Sequence, residues 1–238
     1  MRAVSTTTLL TLFLHRCPDA CDHGDDTADT GADTGGDTAE PDWIVVTADD
    51  PQGWENSRDT EGDGGPCTGA PREGEGSLCL SIGEPTEDAS PAYAWSITQD
   101  FGLLSDVDGV GFDFYRSSDS TSYGHFAPAL ILYVEEPADG TTTALIWEAA
   151  YNGYLSYSDS VPEDTWVSED TTTDTYWQWN DGVVEIYDRG LHDWGYSADA
   201  RVVAIAVQLG SGWNGSWSGY ADLVTISVAG ERTTWNFE

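Results

Sequence analysis

The hydrophobic positions from Trp43 onward form short runs, either alternating with polar residues or wholly apolar, between clusters of Gly, Pro, Asp and Ser. No segment keeps the 3.6-residue period of a helix for three turns. Short strands with frequent turn residues are typical of a sandwich or barrel. The predicted strands are Trp43–Ala48, Ser77–Ile82, Tyr93–Ile97, Val110–Tyr115, Ala129–Val134, Thr143–Ala149, Thr175–Trp179, Val183–Tyr187, Val202–Leu209, Tyr220–Val228 and Thr233–Phe237.

Two kinds of strand are expected from these runs. Val110, Phe112 and Phe114 alternate with smaller or polar residues, so one face of their strand should be core and the other wet. Ala129–Val134 and Val202–Val207 are apolar on both faces and should be central strands, covered on each side. So many short strands in a chain of this length favour a single two-sheet β-sandwich over two small domains.

The first 41 residues differ in composition from the rest. Arg2 followed by Ala3–Leu14 has the basic start and short apolar stretch of an export signal, which we assign to residues 1–20. Residues 22–40 repeat Asp, Thr and Gly without a large apolar side chain, so residues 21–41 are predicted to be a disordered acidic linker. The sandwich domain would then span residues 42–238, in an extracellular or cell-surface protein.

The four cysteines fit this organisation. Cleavage after Ala20 would leave Cys21 as the new N-terminus, which resembles the lipid-modified cysteine of bacterial lipoproteins; the alternative is a plain tail without an anchor. If Cys17 leaves with the signal, Cys67 and Cys79 remain as a pair. The segment between them has Gly and Pro but no His or further Cys, so a disulfide is predicted, with two buried free thiols as the alternative.

Acidic residues dominate the charge of the whole chain. There are 43 Asp and Glu against 8 basic residues, all of them Arg, for a net charge of −35. Nucleic acid and anionic membrane surfaces are therefore disfavoured as partners, and contact with a membrane is expected only through an N-terminal lipid. Mutual repulsion also favours a monomer. The acids either form a solvated coat or bind cations.

Catalytic motifs are scarce. Glu148 lies on a predicted strand, but the chain has no closely spaced carboxylate motif on one strand of the kind that jelly-roll glucanases carry. His125 and His192 are far apart and lack metal-ligand spacing. There is no nucleophile elbow, and a phosphate loop is excluded because there is no Lys. We therefore expect a protein that is not an enzyme, with a polysaccharide hydrolase using Glu148 as its acid as the weaker alternative.

Aromatic residues are the better candidates for ligand binding. Trp177 and Trp179 are two residues apart and share a strand face, which we expect to pack in the core. Other aromatics flank a Gly/Ser/Asn-rich segment or recur every third residue, which matches no strand period, so some of them should face solvent. The candidate ligand-binding residues are Trp213, Trp217, Tyr151, Tyr154 and Tyr157, with core packing as their alternative.

Several short segments occur in the order seen in a known bacterial extracellular domain. The segments are Gln52-Gly53-Trp54, Gly74-Glu75-Gly76-Ser77-Leu78, Phe112-Asp113-Phe114-Tyr115-Arg116 with Ser120-Thr121, Pro128-Ala129-Leu130, Leu145-Ile146-Trp147-Glu148 with Tyr151-Asn152, Asp164-Thr165-Trp166, Gly210-Ser211-Gly212-Trp213-Asn214-Gly215 and Thr234-Trp235-Asn236-Phe237-Glu238. On these segments the chain resembles the jelly-roll-like modules repeated in surface and secreted proteins of environmental bacteria, whose biochemical function is unassigned.

The resemblance implies a noncatalytic, secreted β-sandwich that is similar in build to carbohydrate-binding modules. An extracellular glycan or surface polymer is then the expected partner, and a structural or adhesive surface domain without a small ligand is the alternative. A likeness of fold does not by itself assign a function. The family tends to read Val-Asp-Asn-Val near its end, where this chain has Leu223 in place of the Asn, so no role of that Asn is carried over.

Calcium is the cofactor predicted for this build, as a structural ion near the first and last strands. Calcium takes six to eight oxygen ligands, from carboxylates, carbonyls and water. Asp222 lies near the last predicted strands, and Asp49, Asp50 and Glu55 follow the first, so the four would converge if the termini pair. Solvated acids without a bound ion are the alternative.

Overall fold

The computed structural model describes residues 42–87, 90–154, 160–180, 183–184, 188–210 and 213–238. These residues form an all-β sandwich of two sheets, which confirms the predicted fold class. Among them, no helix is long and apolar enough to cross a membrane. The assigned export signal, the linker and Cys21 lie outside the described residues, so the division at residue 42 stays a prediction.

The first sheet has seven strands within the described part of the chain. Strand β14 is its long central member, pairing with β4 and β15 along one edge and with β6 along the other. Strand β1 extends the β15 side in parallel, β3 extends the β4 side, and β9 adds to β6. The strands are β1 Ile44–Val46, β3 Gly62–Cys67, β4 Ser77–Ile82, β6 Val107–Arg116, β9 Trp166–Asp170, β14 Trp217–Val228 and β15 Glu231–Phe237.

The second sheet has eight strands within the same described residues. Its order is β11-β10-β8-β7-β13-β5-β2, with β12 pairing to β10. Short 3₁₀ helices follow β5 and β8, at Leu104–Asp106 and Ala149–Tyr151. The strands are β2 Trp54–Thr60, β5 Ala92–Leu103, β7 Ala129–Glu136, β8 Thr141–Trp147, β10 Thr175–Asn180, β11 Val183–Val184, β12 Arg189–Gly190 and β13 Arg201–Leu209.

The main core lies between the two sheets, where alternate residues of each strand meet. Val110, Phe112 and Phe114 are all buried, as their alternation predicts. Trp54 from the second sheet packs edge-on against Phe237 from the first, with ring centroids 5.1 Å apart. Such aromatic contacts between the sheets bury large apolar areas. This one joins β2, near the start of the sandwich, to β15, its last strand.

Four observed strands, β2, β3, β9 and β12, have no counterpart among the predicted ones. Strand β2 is an edge strand whose side chains after Trp54 are polar and exposed, so it has no apolar alternation to find. Strand β3 contains three glycines, of which Gly62 and Gly64 pack against Tyr93. A Cβ added to Gly62 would lie 2.5 Å from the Cβ of Tyr93, and the Tyr93 hydroxyl donates to the Gly64 carbonyl at 2.8 Å.

Cys67 and Cys79 form a disulfide, which confirms the predicted pairing and excludes the two free thiols. They lie on the antiparallel strands β3 and β4, with Cα atoms 5.8 Å apart and 12 residues apart in the chain. The bond therefore closes the hairpin loop that joins two neighbouring strands of the first sheet.

Candidate functional site

A groove of about 530 Å³ crosses the outer face of the second sheet. Its floor is made by Ala129 and Ile131 of β7 and by Ala144 and Ile146 of β8, which join Ala206 of β13 in a second apolar cluster. These side chains alternate with the core-facing residues of the same strands. The floor side chains and Ala206 are 1–8% exposed, so the central strands are covered on both faces as expected, and the groove lies over this buried outer face.

Three aromatic side chains, Tyr133, Trp177 and Trp179, line this groove. The pairing of β10 with β8 places Trp177 opposite Ile146 and Trp179 opposite Ala144, so both indoles point away from the core. Trp179 is 45% exposed, and the two indole rings are 6.1 Å apart at 76°. The prediction that this pair packs in the core is wrong, because a shared strand face can be the outer face of a sheet.

A row of polar and small side chains crosses the groove from strand to strand. Arg58 pairs with Ala94, Ala94 with Gln208 and Gln208 with Ala129. The β7–β8 ladder ends at the pair Leu130–Trp147, and extending its register by one residue puts Glu148 opposite Ala129. Four spacings of about 4.8 Å put the backbone ends of this row about 19 Å apart. Arg58, Gln208 and Glu148 thus supply polar groups along a groove that runs across the strands.

Glu148 is the single carboxylate among the described residues that line the groove. Burial raises its pKa to about 7, and the Trp177 indole partly offsets that rise. Near neutral pH, the carboxyl is therefore protonated in a substantial fraction of molecules and can donate as well as accept a hydrogen bond. Hydrolysis of a glycosidic bond ordinarily needs a second carboxylate a few ångströms away, which these lining residues do not provide.

Trp213 and Trp217 are not on the surface. Trp213 is 8% exposed and stacks on Phe126 with ring centroids 4.7 Å apart and planes 4° from parallel. Trp217 is fully buried, and its indole N–H donates to the Phe126 carbonyl at 3.1 Å. The expectation that these residues form a ligand platform is therefore wrong, because both indoles are buried in contact with Phe126.

The three predicted tyrosines fall in different surroundings. Tyr151 is 36% exposed, at the end of the second 3₁₀ helix. Tyr154 packs partly against the core, and its hydroxyl donates to Glu169 Oε1 at 3.3 Å. Tyr157 lies outside the described residues. Tyr151 and Tyr154 do not line the groove, and a ligand-binding role for the three tyrosines stays a prediction.

The four acids predicted to bind calcium do not converge. Asp49 and Asp50 are exposed in the turn after β1, and Glu55 lies on β2 in the other sheet, whereas Asp222 is fully buried on β14. In the part of the chain that the structure describes, no group of three or more His, Cys, Asp or Glu side chains could hold a metal ion. The pairing of β1 with β15 brings backbones together there without bringing these carboxylates together.

Asp222 instead belongs to a buried polar cluster beside the last strand. Its Oδ1 accepts hydrogen bonds from the amides of Leu223 and Phe237, at 2.7 and 2.9 Å. Its Oδ2 and the Oδ1 of Asn236 are buried without a hydrogen bond of ordinary geometry, although the Glu73 amide lies near enough to lower the Asp222 pKa. Burial dominates, and it raises that pKa to about 7.

The fold and the groove together define a β-sandwich protein with an aromatic-lined groove on one sheet. No protein-family model matches the chain, and no curated protein matches it. Solved structures do resemble it. One comes from a study of the promiscuous specificity of carbohydrate-binding modules from the β-sandwich superfamily, and it has 14% identity and a TM-score of 0.38. That match covers 74% of this chain, which spans only 57% of the other chain's length.

Two further structures are similar over comparable lengths. The family 11 carbohydrate-binding module of Clostridium thermocellum, in complex with a β-1,3-1,4-mixed-linked tetrasaccharide, is 8% identical over 71% of this chain and 84% of its own, with a TM-score of 0.38. The endo-β-1,4-glucuronan lyase of Trichoderma reesei is 14% identical over 74% and 91%, with a TM-score of 0.44. Likeness at this level identifies no ligand, so the case for one rests on the groove.

Sequence reasoning missed Arg58, Tyr133 and Gln208 as groove residues. Arg58 lies on the edge strand that has no apolar pattern, and the other two lie on strands assigned to the core. A usable indication was present, since the strands that are apolar on both faces carry alanines at alternate positions. A row of alanines on the outer face of neighbouring strands leaves room for a ligand.

Proposed function

We propose that this protein is a noncatalytic, secreted or surface-tethered module that binds a glycan in the groove of its second sheet. The observation that carries the proposal is the set of aromatic side chains, Tyr133, Trp177 and Trp179, beside a floor of small apolar side chains. Sugar rings have apolar C–H faces, and flat aromatic rings that are open to solvent offer matching surfaces for them to stack on.

The dimensions of the groove favour a chain of sugars over a single one. Its polar row spans about 19 Å across the strands, and its volume is well within the range of ligand-binding clefts. Trp179 remains accessible at 45%, so a ligand can reach the indole without a rearrangement of the sheet. An oligosaccharide segment lying across the strands would contact the aromatic side and the polar side at once.

The polar side chains suit recognition of hydroxyl groups. Gln208 provides an amide donor and acceptor, and Glu148 provides a carboxyl that both donates and accepts near neutral pH. A few polar groups in a mainly apolar cleft fix the orientation of a ligand and select among similar ones. Glu148 is the one carboxylate among the described residues of the groove, which supports binding without hydrolysis.

The experiment is affinity electrophoresis against a panel of soluble neutral and acidic polysaccharides, followed by titration calorimetry with oligosaccharides of the retarding polymer. Trp177→Ala and Trp179→Ala should each weaken binding about tenfold or more, because each removes a stacking surface. Trp166→Ala is the matched control, since Trp166 is a partly exposed tryptophan on the first sheet, packed against Tyr115.

Three results would contradict the proposal. Retardation by no polysaccharide would favour the structural or adhesive surface domain instead. Equal loss of binding in the Trp166 control would show that the groove is not the site. Turnover of a bound polysaccharide that Glu148→Gln abolishes would make the protein a hydrolase.

The export and anchoring assignments are part of the same proposal. A signal at residues 1–20 would deliver the sandwich outside the cell, and acylation of Cys21 would tether it there through the linker. Metabolic labelling with a fatty acid should mark the wild-type protein and not Cys21→Ser. Equal labelling of the two would leave a secreted protein without this anchor.

Calcium also remains a proposal, now with a different donor set. Asp222 Oδ2 and Asn236 Oδ1 are buried carboxylate and amide oxygens, which are ligand types that calcium takes, and the Glu73 amide lies beside Asp222. Calcium there would neutralise the buried Asp222 carboxylate and hold the last strand. Its test is given in the Discussion.

A further inference from the structure

Arg58 differs from the other arginines of the sandwich in its surroundings. Arg72, Arg116 and Arg201 each form an ion pair, with Asp113, Glu163 and Asp100 respectively. The remaining two also have side-chain partners: Arg189 lies 5.1 Å from the centroid of the Trp194 ring, and Arg232 donates to the Thr234 hydroxyl at 3.3 Å.

No carboxylate of the described residues lies within 4.0 Å of the Arg58 guanidinium. This is unexpected in a chain with 43 acids, where a cation meets carboxylates readily. Arg58 is exposed on edge strand β2, next to a register shift between Asn56 and Arg58. It faces the groove, and its charge reaches Tyr133, whose pKa it lowers against the larger rise caused by burial.

The other described residues of the groove do not neutralise the Arg58 guanidinium. The floor is apolar, and Gln208 is neutral. Glu148 lies at the opposite end of the polar row, about four strand spacings away, and it is partly protonated near neutral pH. Glu55 shares the outer face of β2 with Arg58 but does not line the groove.

We propose that the groove is selective for an acidic glycan, a chain of uronic acid residues, with one ligand carboxylate paired to Arg58. This inference rests on the proposed glycan-binding function and names its ligand class. A guanidinium holds a carboxylate through two parallel hydrogen bonds, which fixes the orientation of the sugar as well as adding affinity. Stacking on Trp177 and Trp179 would hold the neighbouring rings.

The strong negative charge of the protein does not prevent this pairing. At physiological salt, charges more than about 8 Å apart are largely screened, so contacts inside the groove decide affinity. The distant acids repel an acidic glycan from the other surfaces of the sandwich. Binding is thereby confined to the groove, where no carboxylate of the described residues pairs with Arg58.

The test compares ligands that differ only in charge. Oligosaccharides of α-1,4- and β-1,4-linked uronic acids are prepared together with their counterparts in which each carboxyl is reduced to an alcohol. Calorimetry at pH 6 in 150 mM salt should show at least one acidic member binding about tenfold or more tightly than its reduced counterpart. Arg58→Gln should remove this preference, so that the acidic sugar binds no more tightly to the variant than its reduced counterpart does.

Arg232→Gln is the matched control, because Arg232 is an exposed arginine on the first sheet. The inference is overturned if every reduced sugar binds as tightly as its acidic counterpart, or if Arg58→Gln keeps the preference. If Trp177→Ala still abolishes binding in that case, the glycan-binding function stands and only the ligand class is wrong. If no sugar in either set binds, both proposals fail.

Discussion

Replacing Glu148 by Gln should make the stability of this protein less sensitive to pH, and in a definite direction. Burial raises the pKa of this carboxyl from 4.5 to about 7, so the folded state prefers the protonated form. The free energy of unfolding is therefore highest below pH 4.5 and falls as the pH rises toward and through 7, because the folded protein must then hold a buried charge. Gln at this position carries no such penalty.

The size of the effect follows from the shift. Each pKa unit corresponds to about 1.4 kcal/mol, so ionisation of Glu148 in the folded state costs about 2–3 kcal/mol once some contact with water is allowed for. We compare the free energy of unfolding of Glu148→Gln with that of the wild type at each pH. This difference should be about 2–3 kcal/mol more favourable to the variant at pH 8 than at pH 4. Asp222 and the other carboxylates are present in both proteins, so their contributions cancel from the comparison.

Urea unfolding followed by tryptophan fluorescence at pH 4, 6 and 8 measures this directly. Glu231→Gln is the control, since Glu231 is exposed at the start of β15, and its difference from wild type should be nearly constant with pH. A Glu148→Gln difference that is equally constant, or one that shrinks toward pH 8, would refute the reasoning about its burial.

Two further predictions concern the first sheet. Reducing the Cys67–Cys79 disulfide should cost about 3 kcal/mol and lower the melting temperature by about 6–12 °C, which calorimetry with and without reductant measures; no change would mean that the bond contributes no stability. Calcium at about 1 mM in 150 mM NaCl should raise the melting temperature by several degrees if the Asp222 and Asn236 oxygens bind it, and Asp222→Asn should remove that rise. If magnesium has an equal effect, or if Asp222→Asn responds to calcium as the wild type does, there is no specific calcium site at Asp222.

Much of the fold was predictable because local patterns determine it. The alternation of Val110, Phe112 and Phe114 identified both a strand and its buried face, and the structure confirms both. The Cys67–Cys79 pairing was also predictable, since a short loop rich in Gly and Pro can close easily. Edge strand β2 was not, because its exposed polar side chains show no apolar period.

The candidate site depends on information that the local patterns do not contain. The two-residue spacing of Trp177 and Trp179 correctly placed them on one face, but a period of two does not say whether that face meets the other sheet or solvent. The Gly-rich surroundings of Trp213 suggested a surface loop, yet stacking on Phe126 buries the ring.

By itself, the sequence determined that this protein is a β-sandwich with an acidic surface and one disulfide between its strands. The tertiary structure alone decided which aromatic face stays open and that Arg58, Gln208 and Glu148 lie in one row across it. The physical reason is that these residues come from strands far apart in sequence. Only the hydrogen-bonded register between strands brings their side chains to the same face of the sheet.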